Sequence, residues 1–143
     1  MKSADGRECS SLVRDIKIAL SGKRTTKLYL LNPQEREVEK IEVDGCAISD
    51  GLRCDWLLLI NDRQSHEEIY VELKSSKVYH AVEQLEATIN RLSADRARLA
   101  KRCLVVFNRN PMTGTDVQRH KIIFQKNFNA VFELVRDGKE IQI

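Results

Sequence analysis

Apolar positions change their spacing along the chain, and each change predicts a different element. Residues 8–21 (ECSSLVRDIKIALS) place Leu12, Val13, Ile16, Ala19 and Leu20 on one helical stripe, which predicts a helix that Gly22 stops. TKLYLLN (26–32) predicts a strand ending at Asn32-Pro33. EVEKIEV (37–43) alternates imperfectly and suits an exposed or edge strand, followed by an Asp44-Gly45 turn and a short return strand in CAIS. DWLLLIN (55–61) is apolar on both faces, as a central strand is. NDRQSHEE is then a hairpin loop and IYVELK (69–74) the returning strand.

From Val78 the period lengthens. Val78, Val82, Leu85, Ile89, Leu92 and Leu99 predict a long amphipathic helix over 77–100. CLVVFN (103–108) predicts a buried strand. A helix over 116–127 follows, capped by Thr115 or Asp116. AVFELV and EIQI flank Asp137-Gly138 as a hairpin. The order predicts one mixed α/β domain over 1–143, in which helices cover a small central sheet and the long helix crosses between parallel strands.

Composition narrows the class. With 143 residues, 42% hydrophobic and 31% charged, the chain is long enough for a core without staples. No apolar run reaches the roughly 18 residues of a membrane span, and MKSADGREC has no signal-peptide core, so a cytoplasmic protein is expected. Cys9, Cys46, Cys54 and Cys103 form no C-x-x-C pair, which leaves them as small core residues rather than zinc ligands or a disulfide framework. The net charge of +3 is mild, but Arg91, Arg96, Arg98, Lys101 and Arg102 crowd one stretch. Charge alone favours a solvated helix face for them.

The informative stretch is IYVELKSSK (69–77). Glu72 and Lys74 share a strand face although both are poor strand formers, and a buried charge there needs compensation. Folding the hairpin near Gln64 brings Asp55 opposite roughly residue 73, although the register that would put it on the same face is open. Two close carboxylates repel unless a proton or a cation intervenes. Mg²⁺ binds through one or two carboxylates and keeps its other positions for water and phosphate.

Asp55, then Glu72-Leu73-Lys74 closing the next strand, then a long helix, resembles the core of the PD-(D/E)xK nucleases, over about residues 52–91. The resemblance implies a restriction-endonuclease-like fold and a nuclease acting on DNA. Mg²⁺, with Mn²⁺ as a substitute, would be held by Asp55, Glu72 and the Leu73 carbonyl. Lys74 would position or activate the attacking water, and Gln84 would lie near the site. Cys54 stands where the family has proline. The extra acid common on the family's first helix is represented by Glu8, Asp15 or, further off, Asp44. Of three D/E-x-K matches, Asp15-Ile16-Lys17 falls in the predicted helix and Asp137-Gly138-Lys139 in a turn, leaving only the third in this context.

Ser75, Ser76, Lys77, His80 and Arg91 are the candidate DNA contacts, the serines with a competing role as helix caps. Arg91 lies some way down the helix from the site. His66 and His120 read as solvated, and Trp56 as core. Sequence-specific recognition would need a homodimer or a partner subunit. Two other readings remain: a catalytically degenerate binding or interaction module on the same fold, and an interaction or immunity protein with no nuclease ancestry.

Overall fold

A computed structural model describes residues 1–22, 25–62, 65–74, 77–109 and 112–143. Its centre is a six-stranded mixed sheet in the order β1 (Ser10–Val13), β4 (Val38–Glu42), β5 (Trp56–Asn61), β6 (His66–Leu73), β7 (Lys101–Phe107), β8 (Ala130–Arg136). β1, β4, β5 and β6 are successively antiparallel, while β6, β7 and β8 are parallel. Helix α1 (Val78–Leu92) joins β6 to β7, and α2 (Gly114–Phe128) joins β7 to β8. These are the crossovers that parallel neighbours require.

A second sheet of β2 (Lys17–Ser21), β3 (Lys27–Leu31) and β9 (Glu140–Gln142) covers the face opposite the helices. Alternation along the strands separates two cores. Leu57, Tyr70, Cys103 and Val105 meet Val82, Leu85, Ile89 and Phe124 of the helices. Leu58, Ile69, Val71, Leu104 and Val106 meet Ile18, Leu20, Leu28 and Leu30 of the small sheet. The chain is therefore helix layer, large sheet, small sheet.

Several sequence expectations change. Residues 8–21 form β1 and β2 rather than a helix: Leu12 and Ile16, two of the stripe residues, are 64% and 60% exposed, while Ile18 and Leu20 point inward with strand alternation. β4 is internal, with β1 shielding its outer edge. CAIS is not a strand but a turn with one bridge, Asp44 to Ile48. The β5–β6 loop is shorter than expected, since His66 already pairs with Asn61. Helix α2 starts earlier, capped by the Thr113 hydroxyl accepting from Asp116 N–H. β8 and β9 do not form a hairpin. The Asp137-Gly138 turn carries the chain from one sheet to the other, where β9 lies parallel to β3.

The long helix also stops early, at Leu92. Glu68, 2% exposed on β6, accepts from Ser93 Oγ at 2.6 Å, Ala94 N–H at 3.0 Å and Tyr70 OH at 3.0 Å. Lys101, equally buried, donates to the carbonyls of Asp95, Leu99 and Phe128. Buried charges with partners hold residues 93–100 in a turn, and the apolar stripe cannot carry the helix through it. The basic stretch is thereby dispersed. Lys101 is interior, Arg96 binds Asn90, and Arg102 binds the Gln142 carbonyl and lies 3.5 Å from Glu133.

Cys9 and Cys46 form a disulfide, contrary to their expected role as plain core residues; Cys54 and Cys103 are buried thiols. The pairing is invisible in the spacing because it joins the N-terminal segment to the turn after β4 through the fold. Such bonds persist mainly in oxidising compartments. Among the described residues no helix is long and apolar enough to cross a membrane.

Candidate functional site

Asp55 stands immediately before β5 and Glu72 near the end of β6. Alternation puts Asp55 with Leu57, and Glu72 with Tyr70, on the helix-facing side of the sheet, so the face left open by the sequence is shared. Trp56 pairs with Val71, and Asp55 N–H donates to the Val71 carbonyl at 3.1 Å. Asp55 Oδ2 accepts from Leu73 N–H at 2.8 Å. In a strand the N–H and carbonyl of one residue turn the same way, so the Leu73 carbonyl also faces β5. Gly22, the residue after β2, packs against this point. A Cβ there would lie 3.1 Å from Leu73 Cβ and 3.6 Å from its carbonyl oxygen.

Glu72 is 3% exposed, and its Oε2 lies 3.3 Å from Lys74 Nζ. Its Oε1 is buried and receives no hydrogen bond. Burial pushes the Glu72 carboxyl up to about 9, the charge of Asp55 adds to this, and Lys74 opposes it. Burial raises Asp55 too. The Leu73 N–H and a hydrogen bond with Glu72 hold it down, and the charge of Asp44 pushes it up. Two carboxyls thus share one partly dry position, with Lys74 as the adjacent cation. Lys74 itself is fixed by its N–H to the Val106 carbonyl at 2.8 Å.

Helix α1 fastens the segment that delivers Asp55. Gln84 Nε2 donates to the Arg53 carbonyl at 3.0 Å. Thr88 Oγ1 accepts from Cys54 N–H at 2.8 Å and donates to the Gln84 carbonyl at 2.8 Å. Arg91 Nη1 donates to the Asp50 carbonyl at 2.9 Å. Gln84 therefore reaches the site through the backbone at 53. Among the described residues no bond joins it to Asp55, Glu72 or Lys74, and its Oε1 is a second buried acceptor without a donor.

Of the three candidate extra acids, Asp44 is the one whose charge Asp55 feels. Its Oδ1 accepts from Arg53 Nε at 2.8 Å. Glu8 is bound to the N-terminal amine and the Ser10 hydroxyl, which with the Ser10 N–H hold it down at about 2, and Asp15 lies exposed between β1 and β2. The helix expected to present both acids is absent. Thr88 and Arg53 were missed because neither belongs to the strand-borne motif. Thr88 sits on the apolar stripe of α1, three residues after Leu85, and that position was the available signal.

Ser75 and Ser76 lie outside the described residues. Lys77 is exposed, with a left-handed backbone (φ 59°), and precedes α1 without a side-chain cap. His80 is exposed and 3.8 Å from Glu83. His120, expected to be solvated, is partly buried: its ring is 5.8 Å from that of Phe132 and its Nδ1 is buried without a partner. Trp56 is half-buried and donates Nε1–H to the Ser21 carbonyl.

A divalent cation fits the donor set in one respect: an orphaned buried carboxylate oxygen beside a second carboxyl is what such an ion satisfies. Among the described residues no group of three or more His, Cys, Asp or Glu side chains is arranged to hold a metal ion, so the site offers two carboxylates. The chain matches no family model, no curated protein and no solved structure.

Proposed function

We propose that the chain is a metal-dependent nuclease on a restriction-endonuclease-like core, hydrolysing phosphodiester bonds in DNA with Mg²⁺ or Mn²⁺. The observation that carries this reading is the convergence of Asp55, Glu72 and Lys74 on one sheet face, with Glu72 Oε1 buried and unsatisfied. The β5–β6–α1–β7 order around the motif agrees with the core that the resemblance implies.

Asp55, Glu72 and the Leu73 carbonyl would hold the cation. When bound, it supplies a polarised water and neutralises charge on the phosphodiester. The chain's own residues do the rest. Glu72 gives up the proton it holds in the metal-free protein, and the Leu73 N–H keeps Asp55 in place. Lys74, 3.3 Å from Glu72, orients the attacking water and donates to the charge that develops on the phosphate. Gln84 and Thr88 act at one remove, by fixing residues 53 and 54.

One observation favours the competing reading of a degenerate binding module: Lys74 already sits against Glu72, so the pair has a cation of its own. Calorimetric titration with Mn²⁺ separates the two. Binding to the native protein that disappears in Glu72→Ala supports the nuclease, and justifies cleavage assays with DNA. No binding at millimolar Mn²⁺, with duplex DNA present, rejects it in favour of the module.

A further inference from the structure

Residues 50–54 run along α1 beside the carboxylates, and two arginines converge there. Arg53 Nε is tied to Asp44, and its Nη1 donates to the Gly51 carbonyl at 2.6 Å. Arg91, seven residues beyond Gln84 and so about 10 Å further along the helix axis, turns back to the neighbouring Asp50 carbonyl. Its Nη1 also lies 3.9 Å from where a Cβ on Gly51 would be. Two guanidinium groups therefore flank one turn, two residues upstream of Cys54-Asp55. The 50–54 segment links the two along the helix, since Arg91 holds its Asp50 end and Gln84 and Thr88 hold residues 53 and 54 next to Asp55.

Both groups are held in place yet have donors to spare. A guanidinium has five N–H groups, and Arg53 commits one to Asp44 and one to Gly51; the rest meet no acceptor among the described residues. Arg53 is 27% exposed and Arg91 48%, so these edges reach solvent. Arg91's ion-pair partner, Asp50, is itself 87% exposed at 3.5 Å, a weak and easily exchanged contact. A planar cation already fixed on one edge binds phosphate oxygens with little further loss of freedom.

We propose that Arg53 and Arg91 form a phosphate-binding pair that grips the backbone of the DNA strand next to the Asp55–Glu72 site. This rests on the nuclease reading for its choice of ligand. The pair contacts successive phosphates and carries no base specificity, so it contributes affinity and salt dependence rather than sequence preference. Asp44 is then a positioning residue, aiming Arg53.

The test is the salt dependence of binding to a mixed-sequence duplex in Ca²⁺, for the native protein, Arg91→Gln, Arg53→Gln and Arg91→Lys. Each glutamine variant should weaken binding about tenfold and lower the slope of log K against log salt by about one, and Arg91→Lys should recover the slope. Native-like slopes and affinities in both glutamine variants overturn the pair, as does a native protein that binds no duplex at low salt. Urea unfolding of each glutamine variant is expected to stay close to that of the native protein, which separates lost phosphate contact from a damaged fold. If the native protein binds no Mn²⁺ while duplex binding still depends on both arginines, the nuclease reading fails and the phosphate pair stands.

Discussion

Replacing Glu72 with glutamine should stabilise the metal-free protein, and increasingly so as pH rises. Glu72 is 3% exposed and its folded carboxyl is pushed up to about 9, against 4.5 for the ordinary group. Below the lower value both folded and unfolded chains carry the proton. Between the two values the folded chain holds it and the unfolded chain does not, so folding takes up a proton and stability falls with pH. The loss is about 1.4 kcal/mol per pH unit, roughly 3 kcal/mol by neutral pH and about 6 kcal/mol by the upper end of the window. Glu72→Gln has no proton to take up. Its stability relative to the native protein should be level in acid and climb by about 1.4 kcal/mol per pH unit towards neutrality. Urea unfolding in EDTA over this range measures both curves. An imperfect fit of the amide displaces the whole difference, so only its slope is diagnostic. Parallel curves would refute the claim that burial holds Glu72 protonated. Mn²⁺ should reverse the order at neutral pH, since an ion at about 1,000 times its Kd adds about 4.1 kcal/mol to a protein that binds it, and the glutamine variant does not bind it.

Two further outcomes follow from the same contacts. Thr88→Val keeps the shape of a fully buried side chain but leaves the Cys54 N–H without its acceptor. It should cost about 1–3 kcal/mol in thermal or urea unfolding, while Thr88→Ser costs less; equal losses would mean that the methyl group, not the hydroxyl, is what matters. Removing the Cys9–Cys46 link by the double alanine substitution should lower stability by about 4 kcal/mol, from the entropy of a loop closed over 37 residues. Unfolding curves unchanged by the substitution would count against the bond as a native crosslink.

The parts of the site that the sequence displays are those with local patterns. The double-sided apolar run of β5, the alternation of β6 and the change of period at Val78 put Glu72 and Lys74 on one face at a strand end and bring Asp55 near them, but leave the face of Asp55 open. Errors arise where a distant partner overrides a local period. Leu99 continues the stripe of α1, yet Ser93 and Ala94 are taken by the Glu68 carboxylate. Leu12 and Ile16 complete an apparent helical face and then stand in solvent, because the small sheet needs only Ile18 and Leu20 from that segment. Asp44 and Arg53 acquire meaning only once the turn after β4 and the approach to β5 lie side by side, which no spacing along the chain expresses.

The placement of β9 has a consequence for synthesis. β3 pairs Tyr29 with Glu140, Leu30 with Ile141 and Leu31 with Gln142, so a hairpin made early waits for a strand made more than a hundred residues later. At 5–20 residues per second that delay is roughly 5–20 s. Throughout it, β3 offers an unpaired edge, and Leu28 and Leu30 await the large sheet that will cover them. A two-stranded hairpin is marginal alone. The nascent chain should therefore be most prone to chaperone capture through residues 17–31, a segment made early and enclosed last.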